Sequence, residues 1–392
     1  MRVAHLIDNL RLVGGAQRVL VLLTHSAHNT DLELTVIDLK SDSDSPNLER
    51  LKKAGVDVLH FPAENMRDAK RFLSLVRYLK HEQFDLIHTH LLHSNVIGIL
   101  ASKLAGTPVI GSLYNVHISR RKNHTFRYGL ETLLLRYAAD GVMAVGQLTA
   151  EAHQSRLKGK RIYVIPTAVE IPELLSPQEK QLMRESLVGD ARRPLIVSVG
   201  RLTTQKGYTY LLDAFSQVHK RWPQAALVIA GEGALFDELS LKIRGLNLNK
   251  HAFLLGPRSD VQRLLGACDI FVSSSLWEGL PSALLEGMAA GLPVVATTVG
   301  DMPRVVTPDT GLLIPAEDPD AIAGAIIELL DHPQQRKLMG EAAREYAITH
   351  HGLDAYGKHF LHMYKDVLYR EKPPGRRQTG AVKASKSQFI DR

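Results

Sequence analysis

The chain has 392 residues, of which 45% are hydrophobic and 23% charged, values typical of a globular protein long enough for two domains. Cys268 is its single cysteine, which excludes an intrachain disulfide. The apolar runs are far shorter than the ~20 residues that cross a membrane as a helix. The segment MRVAHLIDNL lacks the apolar core of a signal peptide, so we expect a cytoplasmic protein.

The formal net charge of +7 is unevenly distributed. Residues 1–170 hold 22 basic and 16 acidic residues, residues 171–370 hold 20 and 23, and residues 371–392 hold 6 and 2. A basic first half favours an anionic membrane surface or a lipid diphosphate as partner. Nucleic acid is not expected, because no recognition motif is present and the aromatic residues do not interleave with the basic runs.

The first half alternates between strand and helix patterns, which predicts a doubly wound domain over residues 1–170. A polar loop is expected after the second strand, and the proline-containing residues 171–190 are interpreted as a linker together with the start of a helix. The predicted strands are RVAHLID, LELTVIDLK, VDVLHFP, DLIHTH, TPVIGSL, GVMAVG and IYVIP, and the predicted helices are GGAQRVLVLLTHSAH, RDAKRFLSLVRYLKH and those near 93–104, 125–138 and 147–156.

A second alternation predicts another doubly wound domain over residues 191–350. A further segment, 351–370, closes the folded part, and the polar, basic tail 371–392 is expected to be disordered. The fold class is therefore α/β, with two Rossmann-like domains that face each other across a cleft. The predicted strands of this half are LIVSVG, ALVIAGEG, AFLLGP, DIFVSSS, PVVATTV and GLLIP.

The stretch LIVSVGRLTTQKGY places two cations, Arg201 and Lys206, between a strand and a helix. Together with the partial positive charge of the helix N-terminus, they predict a diphosphate site. Neither G-x-G-x-x-G nor a P-loop is present, which argues against an NAD-dependent dehydrogenase and a P-loop enzyme. The alternative is a solvated basic loop.

The stretch SSSLWEGLPSALLEGMAAGLPVV reads as strand, turn, helix and strand. Glu278 falls in the turn and Glu286 on the helix, which Pro281 is suited to start. Open α/β sheets bind ligands at the carboxyl ends of their strands. Two carboxylates at that position predict a site for a polyhydroxyl ligand, the alternative being two solvated surface charges.

Two patterns suggest a metal at first sight. Asp42-Ser43-Asp44 is a D-x-D, but it lies in ordinary loop composition. His88, His90 and His93 have suitable spacing, but hard oxygen ligands are missing nearby, and we expect them to line the cleft at a strand end. The sequence therefore predicts no metal and no cofactor.

These motifs resemble the retaining, sugar-nucleotide-dependent glycosyltransferases of the GT-B fold, glycosyltransferase family 4 type. The likeness extends over residues 1–370, and its last segment is expected to cross back onto the first domain. The motifs that carry it are GGAQRVL, VGRLTTQKG, AGEG, LGPRSD, the glutamate pair and GLLIPAEDPDAIAGAI.

The resemblance implies a role for each matching residue. Arg201 and Lys206 would hold the donor diphosphate, Glu278 the sugar hydroxyls and Glu286 the ribose. The family's catalytic histidine falls on either Tyr114 or His117, and the catalytic set is Arg201, Lys206, Glu278 and His117. Further donor-binding positions are Gly14, Gly15, Gly200, Gly231, Gly233, Arg258, Gly279, Leu280 and Pro281.

Several positions depart from the family pattern. Residues 166–170 read PTAVE instead of P-N-G-V-D, and residues 300–304 read GDMPR instead of G-G-I-P-E. Leu280-Pro281 replaces the common aromatic-Gly, a variant associated with polysaccharide assembly.

The expected activity is transfer of a hexose-type sugar, with retention, from a nucleoside diphosphate sugar to a hydroxyl. The donor is expected to be a UDP-sugar rather than a GDP-sugar, the acceptor a sugar or a lipid-linked molecule, and the location cytoplasmic or peripheral at the inner face of the membrane. Two alternatives remain: a GT-B nucleotide-sugar epimerase or hydrolase, and a non-catalytic membrane-surface module.

Overall fold

The computed structural model describes residues 1–10, 15–27, 31–40, 45–61, 69–115 and 125–370. Within them are two entirely parallel sheets, one of seven strands and one of six, each with helices on both faces. This confirms the predicted α/β class and the GT-B architecture. Gly14, His117, the D-x-D and the tail 371–392 lie outside the described residues, and the domain limits stay predictions.

The first sheet has the strand order β3-β2-β1-β4-β5-β6-β7, so the direction of winding reverses between β1 and β4. Its strands are β1 (Arg2–Ile7), β2 (Glu33–Asp38), β3 (Asp57–His60), β4 (Leu86–His90), β5 (Val109–Leu113), β6 (Gly141–Ala144) and β7 (Ile162–Val164). Its helices are α1 (Gly15–Ala27), α2 (Pro46–Lys53), α3 (Ala69–Glu82), α4 (Leu92–Ala105), α5 (Thr125–Tyr137) and α6 (Gln147–Gln154).

The second sheet has the order β10-β9-β8-β11-β12-β13 and reverses between β8 and β11. Its strands are β8 (Leu195–Val199), β9 (Ala226–Ala230), β10 (Ala252–Gly256), β11 (Ile270–Ser273), β12 (Val294–Thr297) and β13 (Gly311–Ile314). The remaining helices are α7 (Pro177–Val188), α8 (Tyr208–Arg221), α9 (Phe236–Gly245), α10 (Val261–Ala267), α11 (Ser282–Ala289), α12 (Met302–Val305), α13 (Pro319–Asp331), α14 (Pro333–His351) and α15 (Leu353–Tyr369).

Local sequence signals account for the starts of helices α2 and α7. Ser176 and Glu179 form a capping box at α7, with Pro177 following the cap. Helix α2 corrects the prediction of a polar loop after the second strand. Ser45 accepts a hydrogen bond from the backbone N–H of Leu48 at 3.1 Å, so the same start signal operates there in a short polar segment.

The last helix, α15, packs against α1 of the first half rather than against the second sheet. Tyr356, Phe360 and Tyr364 are buried in one apolar cluster with Val3 and Val19. The chain therefore crosses between the two halves twice, once before α7 and once between α14 and α15.

The two crossings are hydrogen bonded to each other. The backbone N–H of Val169 donates to the carbonyl of His351 at 2.8 Å, and the His351 Nδ1 lies 3.0 Å from the carbonyl oxygen of Thr167. Among the described residues, no helix has the length and apolar character needed to span a membrane.

Candidate functional site

A cleft of about 710 Å³ lies between the two sheets. Its walls come from the carboxyl ends of strands in both sheets, including the place where β8 and β11 adjoin and the winding reverses, which is where open α/β sheets bind ligands. The first half contributes Gly15, Arg18, Val19, Tyr114, Asn115, Val145, Gly146, Thr149 and Thr167, and the second half contributes Gln205, Trp277, Glu278, Gly279, Leu280, Ser282 and Asp301.

Lys206 and Glu278 form an ion pair within this region. The Lys206 Nζ lies 2.5 Å from the Glu278 Oε1, and the two side chains are only 15% and 10% exposed. The Ser275 hydroxyl also donates to the Glu278 Oε1, at 3.1 Å. The pair joins the loop after β8 to the turn after β11, so an expected diphosphate-binding cation and an expected sugar-binding carboxylate are in direct contact.

The loops that carry these side chains pack backbone on backbone. Gly207 has φ +62°, and a Cβ there would lie 2.1 Å from the carbonyl oxygen of Ser274. Gly231, with φ +148°, would place a Cβ 1.9 Å from the carbonyl oxygen of Gly200. Gly207 therefore allows the close approach that fixes Lys206 relative to β11, and Gly231 lets the loop after β9 pack against the loop after β8.

The two arginines expected at the donor site differ in their surroundings. Arg201 is exposed, and no ion pair joins it to another described residue. Arg258 instead holds Asp260 in a two-pronged contact, with nitrogen–oxygen distances of 2.8 and 2.6 Å. Hydrogen bonding to Asp260 raises the pKa of Arg258 and in turn lowers the pKa of Asp260. Arg201 is thus the cation more available to a ligand.

Glu286 is also paired, but across the two halves. Its Oε1 lies 2.5 Å from a guanidinium nitrogen of Arg18, which belongs to the first turn of α1. These side chains are 18% and 42% exposed. A ligand hydroxyl that approaches Glu286 must share the Glu286 carboxylate with Arg18 or displace Arg18 from it.

A second contact between the halves at the cleft involves Asp301, whose carboxylate accepts a hydrogen bond from the backbone N–H of Leu148 at the start of α6. This hydrogen bond is 3.2 Å long, and Gly146 leaves no room for a Cβ beside the carboxylate. Burial raises the pKa of Asp301, while the hydrogen bonds from Leu148 and Gln147 oppose that rise. Asp301 therefore caps a helix of the opposite half.

The histidines of β4 correct a sequence prediction. His88 and His90 are fully buried and do not line the cleft. Their partner is His5 of the adjacent strand β1, not His93: the His5 Nδ1 lies 2.8 Å from the His90 Nε2. The tyrosines Tyr114 and Tyr364 continue this network, with their hydroxyls 2.6 and 2.8 Å from His90 and His88.

Burial disfavours the charged form of these three histidines. Burial lowers the pKa of His5 to about 3, and burial with neighbouring imidazoles lowers the pKa of His88 and His90 well below the usual value. In the described part of the chain they are the one group that could hold a metal ion, but each ring nitrogen already has a neighbour in the hydrogen-bonded network.

Two family models together cover most of the chain. "Glycosyltransferase Family 4" matches residues 13–172, and "Glycosyl transferases group 1" matches residues 179–346. The chain belongs to the GT-B glycosyltransferases of the family 4 type. This glycosyltransferase thus functions in glycan biosynthesis.

Relatives and solved structures agree with this assignment. An Escherichia coli UDP-Gal:alpha-D-GlcNAc-diphosphoundecaprenol alpha-1,3-galactosyltransferase is 28% identical over 84% of this chain and 88% of its own. A Corynebacterium glutamicum GDP-mannose-dependent phosphatidylinositol monomannoside mannosyltransferase is 33% identical over 46% and 50% of the respective chains. The structure of Anabaena Alr3699/HepE in complex with UDP shares the fold, with a TM-score of 0.80, 22% identity and coverage of 93% and 100%.

The structure brings together several of the glycosyltransferase residues expected from the sequence. Gly15, Glu278, Gly279 and Leu280 line the cleft, and Lys206 contacts Glu278. The sequence predicted Pro281 as the first helical residue; in the structure it is the N-cap of α11, and the helix begins one residue later, at Ser282.

Three residues that the sequence left unassigned also line the cleft. Arg18 and Asp301 make contacts between the two halves, and Trp277 is 54% exposed. Arg18 lies in the motif GGAQRVL and Asp301 in GDMPR, so the sequence analysis had recognised both segments. It could not identify the contacts of these two residues, because their partners are distant in sequence. Tyr114 also lies in the cleft, whereas the other candidate for the family histidine, His117, is outside the described residues.

Proposed function

We propose that this glycosyltransferase moves a hexose-type sugar from a nucleoside diphosphate sugar to a hydroxyl in cell-envelope polysaccharide or glycolipid assembly. The observation that carries the proposal is the contact of Lys206 with Glu278 at the point where β8 and β11 adjoin, with exposed Arg201 in the same loop as Lys206. One cation and one carboxylate held together suit a ligand that offers a phosphate next to sugar hydroxyls.

The reaction needs charge stabilisation on the departing diphosphate. As the bond between the sugar and the phosphate oxygen breaks, negative charge grows on the leaving group. Arg201 and Lys206 would stabilise that negative charge, and fixed donors of this kind act without reorganising during the step. Glu278 would orient the sugar. Glu286 would bind the ribose once its ion pair with Arg18 is broken.

We propose a UDP-sugar as donor, a sugar or lipid-linked acceptor, and retention of configuration at the transferred carbon. The E. coli relative is named for UDP-galactose and a diphosphoundecaprenol-linked acceptor, and the HepE structure contains UDP, which supports this choice. The C. glutamicum relative is named for GDP-mannose, so both nucleotides belong in the test.

The decisive experiment is a thermal-shift panel of UDP- and GDP-sugars, followed by turnover of the donor that binds. A bound donor raises the melting temperature by mass action. Product should form only when acceptor is present, and NMR of its anomeric carbon reports retention. Free sugar or an epimer without acceptor would favour a hydrolase or epimerase, and no shift with any nucleotide would refute the donor site.

We further propose that transfer needs no metal ion, because protein cations face the position expected for the diphosphate. Activity should persist in EDTA. Complete loss in EDTA, restored by manganese or magnesium, would contradict this.

A further inference from the structure

Helix α5 has apolar side chains on two of its faces. Leu134 and Leu135 are buried in the core of the first half. On another face, Phe126, Leu133 and Tyr137 are 80%, 55% and 68% exposed. At 3.6 residues per turn these three lie within about 40° of one another around the helix axis. We refer to Phe126, Leu133 and Tyr137 as the α5 stripe.

The α5 stripe has no covering element among the described residues, as its exposure shows. Single exposed apolar residues are ordinary, but three large ones in a row along a helix indicate an interaction surface. Helix α4, which packs beside α5, also exposes Leu100 and Leu104.

The charges beside the stripe are positive. Arg127 and Arg136 flank it on its two sides, and the guanidinium of Arg136 lies 5.1 Å from the ring centre of Tyr137. The one acid of α5, Glu131, is buried and paired with Arg156 at 3.2 Å, so it does not offset them. Over residues 116–137 the sequence has five basic residues and one acidic residue.

We infer that the α5 stripe docks onto an anionic lipid bilayer. Aromatic and leucine side chains enter the boundary between head groups and acyl chains, while flanking arginines extend to the lipid phosphates. A bilayer satisfies both requirements along the whole length of the stripe. Helix α5 follows β5, whose end carries Tyr114 into the cleft, so docking would bring the cleft towards a membrane-borne acceptor.

This inference goes beyond the proposed transfer reaction, because it concerns where the enzyme works and not what it transfers. The test is co-sedimentation of the full chain with vesicles of equal parts phosphatidylglycerol and phosphatidylcholine, and with phosphatidylcholine alone. We expect binding to the anionic vesicles, weakened by salt, and at least tenfold less binding to the neutral ones. Phe126→Ser/Leu133→Ser/Tyr137→Ser should lower the partition onto anionic vesicles at least tenfold.

The matched control replaces three leucines that are equally exposed elsewhere, Leu182→Ser/Leu241→Ser/Leu338→Ser, and should bind vesicles like the wild type. Both variants should keep the melting temperature and the thermal shift with nucleotide, which tests the donor site separately. Wild-type binding by the α5 variant would overturn the inference and point to another segment, such as residues 371–392. A lipid-free dimer that the α5 variant abolishes would overturn it in favour of a second copy.

Discussion

At the scale of single residues, the cleft holds both of its key glutamates in ion pairs. Glu278 is paired within its own half, with Lys206, and Glu286 is paired with Arg18 of the other half. Arg201 is an exposed cation in the same loop as Lys206. The two cations expected at the diphosphate therefore have different structural roles, and substitution should separate them.

We expect Arg201→Ala to lower the transfer rate by ~10²–10³-fold, as for loss of one donor to a developing charge. Its free energy of unfolding should stay within about 0.5 kcal/mol of the wild type, because the side chain is exposed. Lys206→Ala should lower the rate similarly but also cost roughly 1–3 kcal/mol of stability, since it leaves Glu278 unpaired. Initial rates and urea unfolding measure the two effects.

The control for this prediction is the double variant Lys206→Ala/Glu278→Gln. It removes the unpaired charge, so it should regain most of the stability without regaining activity. Near-normal turnover by either single variant would take that cation out of the reaction.

The two glutamates should also differ in their kinetics. Glu286 lies on a helix and is expected to hold the ribose, which the reaction leaves unchanged, so Glu286→Gln should raise KM with little change in kcat. Glu278 is expected to face the sugar, whose shape and charge change in the transition state. Glu278→Gln should therefore lower kcat and alter the preference between epimeric donors.

Steady-state kinetics with two epimeric donors test this division. Gln keeps the size of each side chain but replaces part of its acceptor capacity with donors. The same kinetic pattern in both variants would contradict the division of roles, even if both residues belong to the site.

At the scale of elements, β1 and β4 pair in a register that sets His5 beside His88 in the middle of the first sheet. His90 follows on the same face of β4, and Tyr364 reaches the cluster from α15. A polar network thus joins the central strands to the helix that returns from the second half, and its three histidines and Tyr364 are withdrawn from water.

This network predicts that stability falls in acid. The unfolded chain binds a proton at each of these histidines below pH ~6.5, whereas folded His5 stays neutral down to pH about 3. Because the unfolded state then binds more protons, the free energy of unfolding should decrease as pH falls from about 6.5, by up to about 1.4 kcal/mol per pH unit for each histidine.

Urea unfolding between pH 8 and pH 5 measures this slope. His88→Gln should reduce this pH dependence of the free energy of unfolding by the contribution of one histidine, although the variant is less stable than the wild type at every pH. His81→Gln, on a side chain that is 86% exposed, is the matched control for loss of a histidine outside the buried cluster. A wild-type stability that is constant down to pH 5 would show that the cluster accepts protons.

At the scale of the whole molecule, the two halves meet through a few polar contacts around the cleft. Asp301 caps α6, and Arg304 contacts Glu151 of the same helix at 2.9 Å. Both residues lie in GDMPR, where the sequence departs from the family pattern. These departures thus coincide with contacts that hold the two halves together.

We expect Asp301→Ala/Arg304→Ala to shift the molecule towards an open arrangement. One lost cap and one lost exposed ion pair amount to about 1–2 kcal/mol, which is roughly a tenfold change in an equilibrium between closed and open forms. Small-angle X-ray scattering should show a larger radius of gyration, and KM for the donor should rise. Asp309→Ala, at an exposed position, is the control, and an unchanged radius in the double variant would exclude this role.

The sequence by itself determined the architecture and part of the cleft. Strand and helix patterns are local, and parallel strands end at one edge of a sheet, so Lys206 and Glu278 could be expected near each other without coordinates. Helix α2 was missed because its segment is short and polar, although Ser45 at the N-cap and Pro46 after it mark its start.

The tertiary structure decided the contacts whose members are distant in the chain. Arg18 and Glu286 are 268 residues apart, and His5 is 85 residues from His90. The tertiary structure also decided which apolar side chains remain exposed to solvent, as those of the α5 stripe do. The physical reason is the same in each case: a side chain's partner and exposure depend on which other element packs against it, and periodicity within a segment carries no record of that element.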